Sequence, residues 1–253
     1  MGDYTVGFQG SIEYVDEDSY GGGCPSDPAM LAVSDYVQSV SINADPGIIK
    51  LRDFDSYDVQ EVIEGLNKYG FSVEYLVQNS TLIEDCITRT SGELDNLYFD
   101  IGFNTSGTAT YYACSGCKCK TISLDVANEE AIKATAEFSV KSVTTTTSAC
   151  DIGAGSHASA IGTVVYTFSG CDIERPDETD LAYIIDRFSL SLNNGLDERC
   201  TIGSNEIKLA LPGQREITGN ADISVADGGK TQWDEVMACT ENNLIWEFGT
   251  TGA

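Results

Sequence analysis

Positive charge is what this chain has least of. Its 253 residues carry 14 Lys and Arg against 40 Asp and Glu, a formal net charge of −26 at pH 7. A protein so poor in cations does not hold nucleic acid by neutralising phosphates, and it repels polyanions at short range. Acidity of this degree also keeps a protein soluble or suits it to a salt-rich cell. Histidine is nearly missing: His157 stands alone in the small-residue stretch GAGSHASA, where it reads as an exposed residue. No apolar run approaches the length of a membrane-spanning helix. The opening MGDYTVGFQGSIEYVDEDSY has neither a basic nor an apolar segment, so synthesis and assembly in the cytoplasm are expected.

Catalytic signatures are missing as well. The chain has no nucleophile motif, P-loop or dinucleotide fingerprint, and IGTVVYTFSG has glycines without the G-x-G-x-x-G spacing. Neither an enzymatic activity nor a cofactor is expected. The acidic stretches DEDS (16–19), DFDSYD (53–58) and DIERPDETD (172–180) lack the EF-hand spacing with its glycine and terminal glutamate, and read as solvated loops.

Cysteine is the exception to this poverty, with nine residues. An odd number leaves one unpaired unless it pairs between chains. In a cytoplasmic product most begin as thiols, and disulfides form later in an oxidising medium. CSGCKC sets Cys114 and Cys117 at the C-x₂-C spacing of a zinc site, with Cys119 as a third thiolate. No second C-x₂-C follows, and a fourth ligand would be a distant residue such as Cys86 or Cys150. No metal is therefore expected, and free thiols or a disulfide are the simpler reading.

Long helical patterns are scarce, while short alternating runs separated by Gly, Asn and Asp are many. With 42% hydrophobic residues the chain has a core, and its class is mainly β. Strands are expected at 37–43, 67–79, 96–103, 163–170, 187–193, 215–225 and 243–249, and KTISLDVANEEAIKATAEFSV (120–140) as a hairpin. Short helices are expected at 80–88, capped by Ser80 or Thr81, and at 230–240.

The order strand, long loop, strand, helix, strand occurs twice. Gly70 matches Gly219, Cys86 matches Cys239, and NLYFDIG matches NLIWEFG, all at an offset of about 150 residues, the kind of self-similarity that marks duplication. The chain then divides into an N-terminal strand and loop arm (1–36), a first repeat with its hairpin (37–142), a segment of linker, strand and acidic loop (143–186), and a second repeat (187–253).

The run LPGQREITGNADISV raises the question of what its polar side faces. Ile217, Gly219, Ala221, Ile223 and Val225 form one face, and Thr218, Asn220, Asp222 and Ser224 the other. With the S-x-S strands at 39–41 and 189–191, GLNKYGFSVEYLVQN before a short helix, and the tight hairpin, it resembles the tail tube proteins of long-tailed phages and archaeal viruses. The likeness covers most of the chain from Val37 onward.

That resemblance implies a β-sandwich or partial barrel with one or two short helices, whose strands join from subunit to subunit into a closed ring barrel. It implies a structural subunit of a virion tail, assembled in the host cytoplasm, with viral DNA passing through without specific binding. The partners implied are the chain itself, tail terminator, tape measure and baseplate proteins, and no membrane. A hexameric ring of whole chains is favoured, with a pseudo-hexameric trimer as the alternative, and rings stack into a tube. The loops at about 44–66 and 194–214 would reach the neighbouring ring. Lumen positions would be Ser39, Ser41, Ser72, Glu74, Ser123, Asp125, Glu137, Ser139, Ser189, Ser191, Thr218, Asn220, Asp222 and Ser224. Apart from Lys141 that surface reads as neutral or acidic and short, so phosphates find few partners. The competing readings are the inner tube of a contractile injection system, a calcium-dependent extracellular filament or surface protein, and a metal or redox module built on CSGCKC.

Overall fold

Alternation of apolar and polar residues becomes a strand wherever one face finds a core to bury against. The computed structural model describes residues 10–26, 29–51, 61–63, 65–105, 108–128, 130–148, 164–167, 171–174, 184–202, 204–224 and 245–248. Six strands make the principal sheet, in the order β3 (Val37–Asp45), β6 (Lys68–Leu76), β11 (Lys133–Val140), β10 (Thr108–Ala127), β14 (Ile184–Asn193), β17 (Glu216–Ser224). Every neighbouring pair is antiparallel.

The 20-residue β10 belongs to two layers. Its first half pairs with β9 (Leu97–Thr105) and β12 (Ser142–Thr146), and β9 pairs with β1 (Gly10–Asp16), which holds the short β2 (Leu31–Ala32). The strand changes layer at a bulge between Cys114 and Cys117. Gly116 sits there at φ +64°, a conformation that favours glycine. A side chain there would also meet Lys141 at 2.7 Å.

Aromatic rings lock the layers together. Phe99 of β9 lies 4.9 Å from Phe71 of β6 and 4.7 Å from Phe138 of β11, and Tyr14 of β1 stacks on it at 5.5 Å. Each ring contact adds about 0.5–1.5 kcal/mol to what burial alone supplies. Val73, Tyr75, Ile122, Ala134 and Ala136 complete the buried face of the principal sheet. The helix α1 (Thr81–Ile87) closes one side with Leu82 and Cys86. Ser80 stands at its N-cap, as expected, but its hydroxyl donates to Glu84. Asn79 Oδ1 instead accepts from the Thr81 amide at 3.2 Å. After α1 a small ribbon forms from β7 (Arg89–Thr90) and β8 (Glu93–Leu94).

Several segments differ from their sequence-based expectation. Both long loops contain a ribbon: β4 (Ile49–Leu51) with β5 (Glu61–Ile63), and β15 (Asp197–Cys200) with β16 (Ile207–Leu211). The strand expected at the start of the N-terminal segment is β1, and it pairs with β9 in the second layer. The linker at 143–162 begins as β12. The acidic loop begins as β13 (Cys171–Glu174), paired with β18 (Ile245–Phe248). Of the strand expected at 163–170, the described residues 164–167 make one isolated bridge, Thr167 to Ala131. They cross the ends of β6 and β11, where Tyr166 donates its amide to Val77 and accepts from Ile132. The helix expected at 230–240 lies outside the described residues.

The two halves share geometry as well as order. Asp45 Oδ1 accepts from the Gly47 amide at 3.0 Å, and Asn193 Oδ1 from the Gly195 amide at 2.8 Å. The two glycines have φ of +54° and +58°. A Cβ on either would strike a backbone carbonyl, Leu66 at 2.2 Å or Gln214 at 2.5 Å. The pairing of β13 with β18 repeats that of β1 with β9. One sequence match fails: Gly70 lies opposite Asn43 and Ser139 on the polar face, whereas Gly219 lies opposite Leu190 on the apolar one.

Candidate functional site: one polar face and two open edges

Cross-strand register gathers the small polar residues into rows. One row runs Ser39, Glu74, Thr135, Ser123, Ser191, Thr218, a residue from each strand of the principal sheet. The next runs Ser41, Ser72, Glu137, Thr121, Asn193, Glu216. Further along, Lys133, Asp125, Ser189 and Asn220 align, then Arg187 with Asp222. Thirteen of the fourteen sequence-derived positions (all but Ser224) therefore have a described side chain on this face. Ser224 is placed by its backbone, opposite Ile184.

Exposure is not uniform along it. Ser39, Ser41, Glu137, Ser191, Thr218, Asn220 and Asp222 are exposed, and Ser72, Glu74, Ser123, Asp125 and Ser189 are half-buried. Ser139 is a correction: it shares the face but is only 3% exposed. The β15–β16 ribbon lies over it, and its hydroxyl donates to Glu198 at 2.7 Å. The same ribbon reaches β6, where the Asn67 amide donates to the Asn205 carbonyl. The loop at 194–214 thus packs on its own chain's sheet.

Thr121, Lys133, Thr135, Arg187, Asn193 and Glu216 also belong to the rows and were missed in the sequence. The signal was present, since each continues the same two-residue period by one or two steps. Their charges correct the picture of a face without cations. Arg187 grips Asp125 through two bonds, Nη2–Oδ2 at 2.6 Å and Nε–Oδ1 at 3.0 Å. Those bonds hold the Arg187 guanidinium above its ordinary pKa. Lys133 approaches Glu74 at 3.9 Å. Lys120, thrown out by the bulge between Cys119 and Thr121, borders a cavity of about 200 Å³ with Ser41, Asn43, Gly70, Ser72 and Glu137. Lys141 does not lie on this face; it sits against Tyr20 and Gly21.

Among the described residues both ends of the principal sheet are open: β3 pairs only with β6, and β17 only with β14. An exposed edge presents unpaired amides and carbonyls that template further strand pairing. Phage tail tube protein is the family whose sequence profile matches, over residues 7–238. The chain belongs to that family. It is a structural tail tube subunit, a component of the virion tail. A similar solved structure is a chain of the anti-feeding prophage (AFP) baseplate, obtained by cryo-electron microscopy with six-fold symmetrisation. It is 12% identical, has a TM-score of 0.42, and the match covers 58% of this chain and 97% of that one. No curated protein matches.

The cysteine motif of this tail tube subunit faces the core. Cys114, Cys117 and Cys119 are all buried and free, as is Cys86. Cys114 donates to the Tyr112 carbonyl at 3.7 Å, Cys117 to that of Cys114 at 3.4 Å, and Cys119 to that of Thr121 at 3.5 Å. Burial pushes Cys114 up to about 12 and raises Cys117, so both are protonated thiols in the chain as it stands. Among the described residues no group of three or more Cys, His, Asp or Glu is arranged to hold a metal. Cys200 is free and exposed, and Cys24 is in a disulfide.

Of the acidic loops, DEDS serves the fold. Glu17 is only 7% exposed and accepts from the amides of Gly21, Gly23 and Gly116. It clamps the loop onto the bulge of β10. Burial raises its pKa, against the three amides and Lys141, which lower it. DFDSYD lies outside the described residues.

Proposed function

We propose that copies of this chain join edge to edge, β17 of one against β3 of the next, and close into a ring whose polar face lines the bore. The observation that carries this is the sense of the two open edges. Six alternating strands leave β3 and β17 antiparallel, so a head-to-tail copy continues the ladder without a break in pattern. The stagger agrees. The row from Ser41 reaches β14 at Asn193, whose counterpart in the first half is Asp45, four residues along β3. One residue of slip per strand is the ratio that gives a closed eight-stranded barrel its tilt of about 36°.

Whole chains are the unit of the ring in this reading. The paired strands of the two halves start four strands apart within a chain but two apart across the junction, which does not suit a pseudo-sixfold trimer. Six chains at strand spacings of about 4.8 Å give a backbone diameter of about 68 Å, and three give about 34 Å. Stacked rings form the tube, assembled in the host cytoplasm and capped by terminator and baseplate proteins, with a tape measure protein inside. Viral DNA then passes along a face of mostly small polar side chains, on which Arg187 and Lys133 are engaged by Asp125 and Glu74.

Negative-stain electron microscopy of the purified protein, with and without EDTA, tests this. Hollow tubes of the wider bore, unchanged by EDTA, are expected. The narrower bore would replace six chains by three. Tubes that dissolve in EDTA would point to a calcium-dependent filament, and a protein that never forms rings would remove the edge-pairing reading.

A further inference from the structure

Two ribbons built alike end in different surroundings. Both leave their strand through the turn that Asp45 closes onto Gly47 and Asn193 onto Gly195. Their register is then the same. Ile49 pairs with Ile63 and Lys50 with Val62, as Asp197 pairs with Leu211 and Glu198 with Ala210. Each residue of the second ribbon stands the same number of positions further along the chain than its counterpart in the first.

The second ribbon has a sheet beneath it. Ile207 and Ala210 are buried, Glu198 accepts from the Ser139 hydroxyl, and the Asn205 carbonyl accepts from the Asn67 amide. Ser139 belongs to β11, two strands from β14, and Asn67 precedes β6, three strands away. The β15–β16 ribbon thus leans from β14 towards the β3 side of the sheet. The first ribbon starts from β3, the last strand on that side among the described residues. A turn with the same bond and the same glycine conformation sends it the same way, past the open edge. There the chain offers it no strand of its own sheet. Its residues are bare: Ile48 is 55% exposed, Ile63 is 42% exposed, and Lys50 is exposed too. Their counterparts Leu196, Leu211 and Glu198 are all half-buried.

We propose that the β4–β5 ribbon is an interaction surface for a second copy of this chain, lying across the seam onto the neighbour's polar face at the end of β14 and β17. The proposal rests on the edge pairing of β3 with β17. Counted across that seam, the neighbour's β14 is the second strand from β3, as β11 is the second from β14. The ribbon leaves at the end of β3, and the same end of the neighbour's sheet holds Asn193 of β14 paired with Glu216 of β17. Lys50 takes the place of Glu198, the residue that the second ribbon turns to its sheet. Among the described residues no carboxylate pairs with Lys50, and Glu216 is exposed. A cation on the ribbon therefore meets a carboxylate on the neighbour. An exposed pair of this kind adds little energy. It fixes position, while covering Ile48 and Ile63 supplies the affinity. Two ribbons per chain then tile one rim of the ring, one over the chain's own sheet and one over the seam.

The test assembles tubes from an equal mixture of unlabelled and isotope-labelled full-length chains. A carbodiimide then joins amines to carboxylates in direct contact, with loss of one water per link. After proteolysis, mass spectrometry is expected to find Lys50 joined to Glu216, with half of that peptide pairing a labelled with an unlabelled partner. Unassembled chains at high dilution should give no mixed peptide. Ile63→Asp should leave the circular dichroism of the unassembled chain unchanged and lower the temperature at which tubes fall apart. Tubes in which Lys50 stays uncoupled, couples only within its own chain, or couples to a carboxylate other than Glu216 would overturn the proposal and leave the edge pairing standing. A chain that forms no tubes would overturn both.

Discussion

Asp85 shows how a single residue carries strain that the sequence hides. It accepts from the Tyr14 hydroxyl at 3.2 Å. Burial first, then the nearby Asp16, raise its pKa to about 6. In the unfolded chain the group titrates near 3.9. The folded state thus binds its proton more tightly. Stability from this group is complete below about pH 4 and is lost as pH rises through about 6. Asp85→Asn should flatten that decline and raise stability at neutral pH, read from urea midpoints between pH 3.5 and 7.5. Asn194 is the opposite case, a buried polar group with its bonds made: Nδ2 donates to the Cys86 and Cys119 carbonyls, and Oδ1 accepts from Arg89 and Arg215. Asn194→Ala would leave the Cys86 and Cys119 carbonyls and the two guanidinium groups short of a partner. A loss of about 2–4 kcal/mol in chemical denaturation is expected.

At the scale of elements, the open edge of β17 makes the sharpest prediction. In an antiparallel strand, adjacent residues point their amides to opposite sides. Of Thr218→Pro and Gly219→Pro, one removes a bond to β14 and the other removes a donor from the open edge. The first should lower monomer stability. The second should leave the monomer folded, by circular dichroism, while abolishing tubes in the microscope. Equal behaviour of the two would count against edge pairing. The turns that launch the two ribbons make a matched pair. Gly47→Ala and Gly195→Ala each force a Cβ into a carbonyl at positive φ, and each should cost at least about 1 kcal/mol in thermal unfolding.

For the whole molecule, the charge of the polar face is the quantity through which the proposed bore can be tested. Asp125 and Asp222 flank Arg187, and replacing both with Lys turns a cluster of two carboxylates and one guanidinium into three adjacent cations. Tubes of the double variant should retain double-stranded DNA at low salt and release it steeply as salt rises, whereas unsubstituted tubes should retain none. A filter-binding assay over a salt series checks this, and DNA retention unchanged by the substitution would show that the face does not line the bore. Much of this face was readable, because a two-residue period survives in any strand. The strands β12 and β13 were not, since SVTTT and CDIE are too short and polar to carry a period. Ser139 reads as a surface residue in its own strand, and nothing in that strand reports the ribbon from β15 that covers it.

What local chemistry specifies in this chain is therefore the mainly β class, the polar and apolar sides of each strand, the first helix and its cap position, and the shortage of cations. All of these follow from residue spacing and charge, which act between near neighbours. Strand order, the sharing of β10 between two layers, the pairing of Arg187 with Asp125 and the meeting of the Cys86 and Cys119 carbonyls on one amide came from the folded chain alone. Each joins residues far apart in sequence, and the partner is selected by packing and register across the core, which no stretch of the chain records by itself.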